Sequence, residues 1–172
     1  FNIFENYFMK NDNNPSSLSK EQIQSVMSLY LDGNINQAID RIKALNNEYP
    51  NVPILFNILG ACYKAIGEID GAIQMFDTAT QIKSDYSEAY FNIGVIYQEL
   101  QQFEKSISNY NKAIEINNKY PDAHNNLGIV YLDTNIVDKA IIHFESAVKY
   151  KPDFAEAHNN LGSALQEKGE LK

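Results

Sequence analysis

The chain has 172 residues, 44% of them hydrophobic and 21% charged, with 22 acids against 14 bases for a net charge of −8. That balance suits one folded domain or one array of small repeats, and no apolar run approaches the ~20 residues of a membrane span, so membrane insertion is not expected. So acidic a chain, whose only arginine is Arg41, is a poor partner for nucleic acid. One cysteine and three histidines leave no disulfide framework, no metal cluster and no cofactor to expect.

Residues 1–18 stand outside the pattern that organises the rest of the chain. Phe1, Ile3, Phe4, Tyr7 and Phe8 have the spacing of a short amphipathic helix, and residues 11–17 (NDNNPSS) read as a loop. There is no basic start and no small-residue cleavage site of a signal peptide. A helix of eight residues is not stable alone, so its aromatics must dock. They are expected to cover the open end of the unit that begins at Ser19, or to fill a groove in this molecule or in a neighbour, which would make a homo-oligomer. Ser19 and Gln22 spell a capping box, with Leu18 and Ile23 as a hydrophobic staple.

From Ser19 a period of 34 residues takes over. Gly60, Gly94, Gly128 and Gly162 share that spacing, as do Tyr63, Tyr97 and Tyr131. So do Ala38, Ala72, Ser106 and Ala140; Ile42, Phe76, Tyr110 and Phe144; and Leu45, Ala79, Ala113 and Ala147. The units are 19–52, 53–86, 87–120 and 121–154, with a half unit at 155–172. Each reads as two helices, shown in the fourth by Ala123, Leu127, Val130 and Tyr131, then by Val137, Ala140, Ile141, Phe144 and Ala147. Gly33, Gly67 and Gly169, with Asn135 in the matching place, are expected to end first helices in the left-handed conformation. Pro53 and Pro121 mark helix starts, and Pro50 and Pro152 fall near the ends of second helices. The recurring mid-helix glycine costs about 1 kcal/mol against alanine, so it needs a packing reason; close approach to the alanine twelve residues on is the expected one.

These residues resemble the tetratricopeptide repeat (TPR) family, whose pattern is an aromatic, Leu-Gly, Tyr, Ala, Phe/Tyr, Ala and Pro at fixed offsets. The fourth unit carries Leu127-Gly128, Tyr131, Ala140, Phe144, Ala147 and Pro152, and the resemblance covers 19–172. The early aromatic position departs from it, reading Gln22, Phe56, Tyr90, His124 and His158, and Ser25-Val26 replaces Leu-Gly in an atypical first unit. The stretch 158–169 is most similar to repeats of protein O-linked N-acetylglucosamine transferase and its bacterial relatives; only the repeats are alike, and no glycosyltransferase domain lies in these residues. The resemblance implies an all-α, right-handed α-solenoid of antiparallel helix pairs, four full repeats and one extra helix, with the first helices lining a concave groove.

On the first helices the stripe that faces the groove in this family reads Lys20, Gln24, Met27 and Leu31; Ile54, Ile58, Ala61 and Ala65; Glu88, Asn92, Val95 and Glu99; Asp122, Asn126, Ile129 and Asp133; and Glu156, Asn160, Ser163 and Glu167. It runs from apolar (Met27, Ile54, Ile58) to a threefold acid–Asn–small–acid pattern. The row Asn92, Asn126 and Asn160 resembles the asparagine ladder of the transferases, whose amides hold peptide backbones, each offering a donor and an acceptor. Glu88, Asp122 and Glu156 suit the first turn of a helix. Glu99, Asp133 and Glu167 sit in a last turn, where the helix dipole disfavours them, so a basic ligand is expected there. The positions that carry Lys and Arg in chaperone-clamping repeats are Ile23-Gln24, Asn57-Ile58, Phe91-Asn92, Asn125-Asn126 and Asn159-Asn160, none basic, which excludes that subtype. His124 and His158 replace packing aromatics, His143 has no ligand spacing to another histidine, and Cys62 is expected to be an inert buried thiol.

No catalytic grouping is present, and the expected role is non-enzymatic: a scaffold or adaptor binding an extended or helical protein segment with basic residues. The alternatives are the substrate-recruiting arm of a larger modifying enzyme, such as a glycosyltransferase, and a self-assembling solenoid built through residues 1–18 or the terminal helix. The lone cysteine fits any compartment, with the cytoplasm favoured.

Overall fold

A computed structural model describes residues 18–170, which form nine α-helices joined by short turns. The expectations for Phe1, Ile3, Phe4, Tyr7 and Phe8 lie outside the described residues. A first compact unit, ending at Ser84, holds α1 (Lys20–Leu31), α2 (Ile35–Glu48), α3 (Pro53–Ala65) and α4 (Ile69–Ile82). A second, from Asp85, holds α5 (Ser87–Glu99), α6 (Phe103–Ile116), α7 (Pro121–Asp133), α8 (Val137–Tyr150) and α9 (Ala155–Glu170). Consecutive helices pair: α1 with α2, α3 with α4, α5 with α6 and α7 with α8, while α9 packs against α8. This is an all-α repeat fold, as the 34-residue period implies.

The helix ends obey local chemistry. Ser19 caps α1: the Gln22 backbone N–H donates to Ser19 Oγ (3.3 Å) and the Ser19 N–H donates to Gln22 Oε1 (2.8 Å). Leu18 and Ile23 are buried in one cluster, which completes the staple. Pro53 and Pro121 occupy the first turns of α3 and α7, where a missing N–H costs nothing. The turns from α1, α3, α5 and α7 into the next helix share one design. A residue of positive φ, respectively Gly33 (76°), Gly67 (82°), Gln101 (56°) and Asn135 (59°), donates its N–H to the carbonyl three residues back. The next N–H reaches five residues back, as from Gln102 to Tyr97 O (2.8 Å), so these are Schellman ends. Gln101 adopts a conformation that costs a side-chain-bearing residue about 1–2 kcal/mol, and residue type alone did not mark it. Gly169, by contrast, lies inside a helix: α9 continues to Glu170.

The repeating glycines have a different partner from the one expected. A Cβ placed on Gly60, Gly94 or Gly128 meets the ring of Phe76, Tyr110 or Phe144 at 2.7, 2.7 and 2.6 Å. The residue facing the glycine is therefore the aromatic sixteen positions on. The small residue twelve positions on lies beside it: Ser106 Oγ donates to the Gly94 carbonyl (2.9 Å) with its side chain fully buried. Phe76, Tyr110 and Phe144 are among the largest fully buried side chains of the chain. In the first unit the core continues through Ile23, Val26, Ile42, Leu45, Leu55 and Leu59; in the second through Leu127, Val130, Val137, Ile141 and Ala164.

Gly162 occupies the same register, yet no side chain of the described residues comes within 4 Å of a Cβ built there. One substitution should therefore change sign with position. Gly128→Ala is expected to lose about 1–2 kcal/mol in urea unfolding, overpacking outweighing the gain in helix propensity, whereas Gly162→Ala gains roughly 0.5–1 kcal/mol. Equal effects at the two sites would refute this packing account.

Candidate functional site

In the second unit the last turn of α5, the start of α6 and the exposed side of α7 enclose a cleft of about 640 Å³. Val95, Gln98, Glu99, Gln101, Phe103, Asn126 and Asp133 line it. Both carboxylates are exposed, and each sits in the last turn of its helix, where the macrodipole adds negative potential. Val95 and Phe103, half-buried, supply the apolar surface.

Behind the lining runs a hydrogen-bonded relay. Asn126 Nδ2 donates to the Tyr110 hydroxyl (3.3 Å), which donates to Gln98 Oε1 (2.7 Å). Tyr110 is the ring that fills the space over Gly94, and burial raises its pKa far above the ordinary tyrosine value. The relay orients two lining side chains and leaves the Asn126 carbonyl oxygen as an acceptor.

The other expected site residues divide between surface and interior. Of the asparagine row, Asn92 is half-buried on α5, Asn126 lines the cleft, and Asn160 donates through Nδ2 to Asn125 Oδ1 (3.0 Å). Asn125 in turn donates through Nδ2 to Glu156 Oε1 (3.1 Å) and is only 1% exposed. It ties α7 to α9 from inside; its neighbour Asn126, about 100° round the helix, reaches the cleft instead. Asn57 on α3 is likewise buried, whereas Asn159 on α9 is exposed. Phe91 packs on Tyr110 and Tyr120, with ring centroids 5.7 and 5.1 Å apart. Glu167 is half-buried on α9 and does not line the cleft. Ile54 and Ile58, expected to offer an open apolar wall, are 1% and 5% exposed and belong to the first unit's core; Met27 is half-buried against it. A branched aliphatic at these positions joins Ile23, Val26 and Leu55 rather than remaining on a surface.

Gln98, Gln101 and Phe103 entered the site without a sequence signal strong enough to single them out. Phe103 carried a trace of one, an aromatic where Ile35, Ile69 and Val137 begin the other second helices. Among the described residues no group of three or more His, Cys, Asp or Glu side chains could hold a metal ion, and no helix is long and apolar enough to cross a membrane. Cys62 is fully buried, and burial pushes its thiol up to about 11, which disfavours the reactive thiolate.

The structure also joins two histidines that sequence spacing kept apart. His124 on α7 and His143 on α8 approach with Nδ1 atoms 3.1 Å apart. His124 Nε2 lies 3.3 Å from the Asn118 carbonyl, which accepts only from N–H. His124 therefore carries its proton on Nε2, and His143 Nδ1–H donates to His124 Nδ1. Tyr131 stacks on His143 at 5.5 Å. Burial, then the charges of His124 and Lys139, lower His143 from the ordinary 6.5 to about 4. Because the folded state favours the neutral ring, this contribution is complete above pH 6.5 and is lost as pH falls towards 4. An NMR titration is expected to show His143 titrating below pH 5, and the thermal midpoint should fall across that window less steeply in His143→Phe than in the parent; a normal His143 midpoint would refute the pairing.

The comparisons agree with this architecture. A family model described as TPR repeat matches residues 60–101, 96–135 and 133–169. No curated protein matches the chain. Among solved structures, the protein MamA is similar at 28% identity and a TM-score of 0.73, with 84% of each chain covered. YrrB, described as a TPR protein with an unusual peptide-binding site, is similar at 17% identity and a TM-score of 0.67, covering 97% of this chain and 84% of its own. The first TPR of Spaghetti (RPAP3), bound to the HSP90 peptide SRMEEVD, matches at 21% identity and a TM-score of 0.65, covering 68% of this chain and 93% of its own. With helix pairs, glycine–aromatic contacts and family model in agreement, the chain belongs to the TPR repeat family.

Proposed function

We propose that the chain is a non-enzymatic protein-recognition module whose second-unit cleft binds a partner segment carrying Lys or Arg. TPR proteins generally mediate protein and peptide binding, and the observation that carries the finer reading is the cleft itself. It sets two exposed carboxylates, Glu99 and Asp133, beside the Asn126 amide and the apolar faces of Val95 and Phe103. A basic side chain laid across it gains charge pairing from the carboxylates and burial of its methylene stem against Phe103. The Asn126 carbonyl accepts a backbone N–H regardless of the ligand's sequence.

The RPAP3 neighbour is bound to an acidic peptide, and the sign should be opposite here. The first-helix positions suited to an anion read Gln24, Ile58, Asn92, Asn126 and Asn160. In fluorescence anisotropy, Lys/Arg-rich peptides are expected to bind and SRMEEVD not to. The double substitution Glu99→Gln, Asp133→Asn should weaken the basic peptides roughly tenfold and flatten their salt dependence. Binding untouched by that double substitution would refute the acidic-cleft reading.

The row Asn92, Asn126 and Asn160 favours a second reading, the substrate-recruiting arm of a glycosyltransferase. On it the flanking reading frame encodes a sugar-nucleotide-binding domain in the same polypeptide, and a transcript ending soon after Lys172 excludes it.

A further inference from the structure

Each second helix begins with a large apolar residue at one register: Ile35, Ile69, Phe103 and Val137 start α2, α4, α6 and α8. Four positions earlier, at the end of the preceding helix, stand Leu31, Ala65, Glu99 and Asp133. The third pair alone joins an aromatic ring to a carboxylate. The left-handed φ of Gln101 (56°) reverses the chain between them, and both Glu99 and Phe103 line the cleft. A branched aliphatic serves at this register in the other pairs, so packing on the core does not by itself call for a ring. Phe103 packs on the second unit's core cluster and stays only half-buried.

The polar part of the lining is biased towards acceptors. Asn126 spends its Nδ2 donor on the Tyr110 hydroxyl and keeps its carbonyl oxygen. Glu99 and Asp133 add the oxygens of two exposed carboxylates. Lys105 and Lys139, the first lysines after each carboxylate, lie over the rings of Tyr97 and Tyr131 at 5.0 and 5.2 Å and do not line the cleft.

We propose that the basic residue taken by the cleft is an arginine, its guanidinium laid on the Phe103 ring with its N–H edge turned to the carboxylates of Glu99 and Asp133. The inference rests on the acidic-cleft reading above and narrows its ligand from any cation to one side chain. A guanidinium is flat and weakly hydrated, and it carries five donors in one plane. It can therefore cover a ring with its face while its edge serves several acceptors, with two parallel bonds to a carboxylate where the fork fits. A lysine ammonium is a strongly hydrated point charge without a face, and gains only the charge pairing.

The probes are two labelled peptides of equal length and charge, one alternating Gly with Arg and the other Gly with Lys, titrated with the full chain in fluorescence anisotropy. The arginine peptide is expected to bind about fivefold more tightly, and its citrulline counterpart, planar but neutral, not to bind. Phe103→Ile installs the residue that starts α2 and α4, and should bring the two affinities together. Phe103→Tyr keeps a ring and should keep the preference, which a merely structural role for Phe103 would not predict. Equal affinities in the parent would overturn the proposal and leave the acidic-cleft reading standing. A preference that survives Phe103→Ile would overturn it too, because the ring would then not be what reads the plane. No binding of either peptide at millimolar concentration would remove the acidic-cleft reading itself, and this inference with it.

Discussion

The contact on which the rest depends is an aromatic ring pressed onto a glycine. A bare Cα lets the second helix of each pair approach until Phe76, Tyr110 or Phe144 fills the gap. The glycine's helix-propensity cost of about 1 kcal/mol is outweighed by complete burial of a ring. Once that distance is set, the small row comes into range as well: only a small side chain fits beside the glycine carbonyl, and Ser106 uses the proximity for a hydrogen bond. The Schellman turns then need only reverse the chain between two faces that already fit.

Around that frame, polar groups are sorted by small angular differences. Asn125 and Asn126 are adjacent in sequence; one is sealed between α7 and α9 and the other lines a cleft. The buried one has both ends of its amide paired, which avoids the penalty of a desolvated donor or acceptor. The arrangement shows why an amide-rich first helix serves this fold: the same residue type stitches neighbouring helices on one face and presents hydrogen-bonding groups on the next.

What was legible in the sequence was whatever is local or periodic. The cap at Ser19, the helix pairs and the left-handed residues Gly33, Gly67 and Asn135 could all be read from residue type and spacing. The glycine's partner was misjudged by one helical turn, because the small row and the aromatic row share a face and spacing alone does not say which lies over the Cα. Gln101 took a glycine's conformation because the turn needed it. Ile54 and Ile58 were placed on a surface because exposure is fixed by what packs across them, which periodicity within a helix does not contain. The His124–His143 pair, nineteen residues apart, comes from helix pairing and not from any ligand-like spacing.

Tyr110 is the one member of its row in the three glycine–aromatic pairs with a hydroxyl, and that atom ends at Gln98 and Asn126, behind the cleft. A residue invisible from outside thus holds the posture of two that are seen. Exchanging it for phenylalanine would subtract a single oxygen from the interior and keep the ring that holds the helices together. The lining of the cleft can in this way be retuned from beneath, by evolution or by design, without altering any residue that lines it.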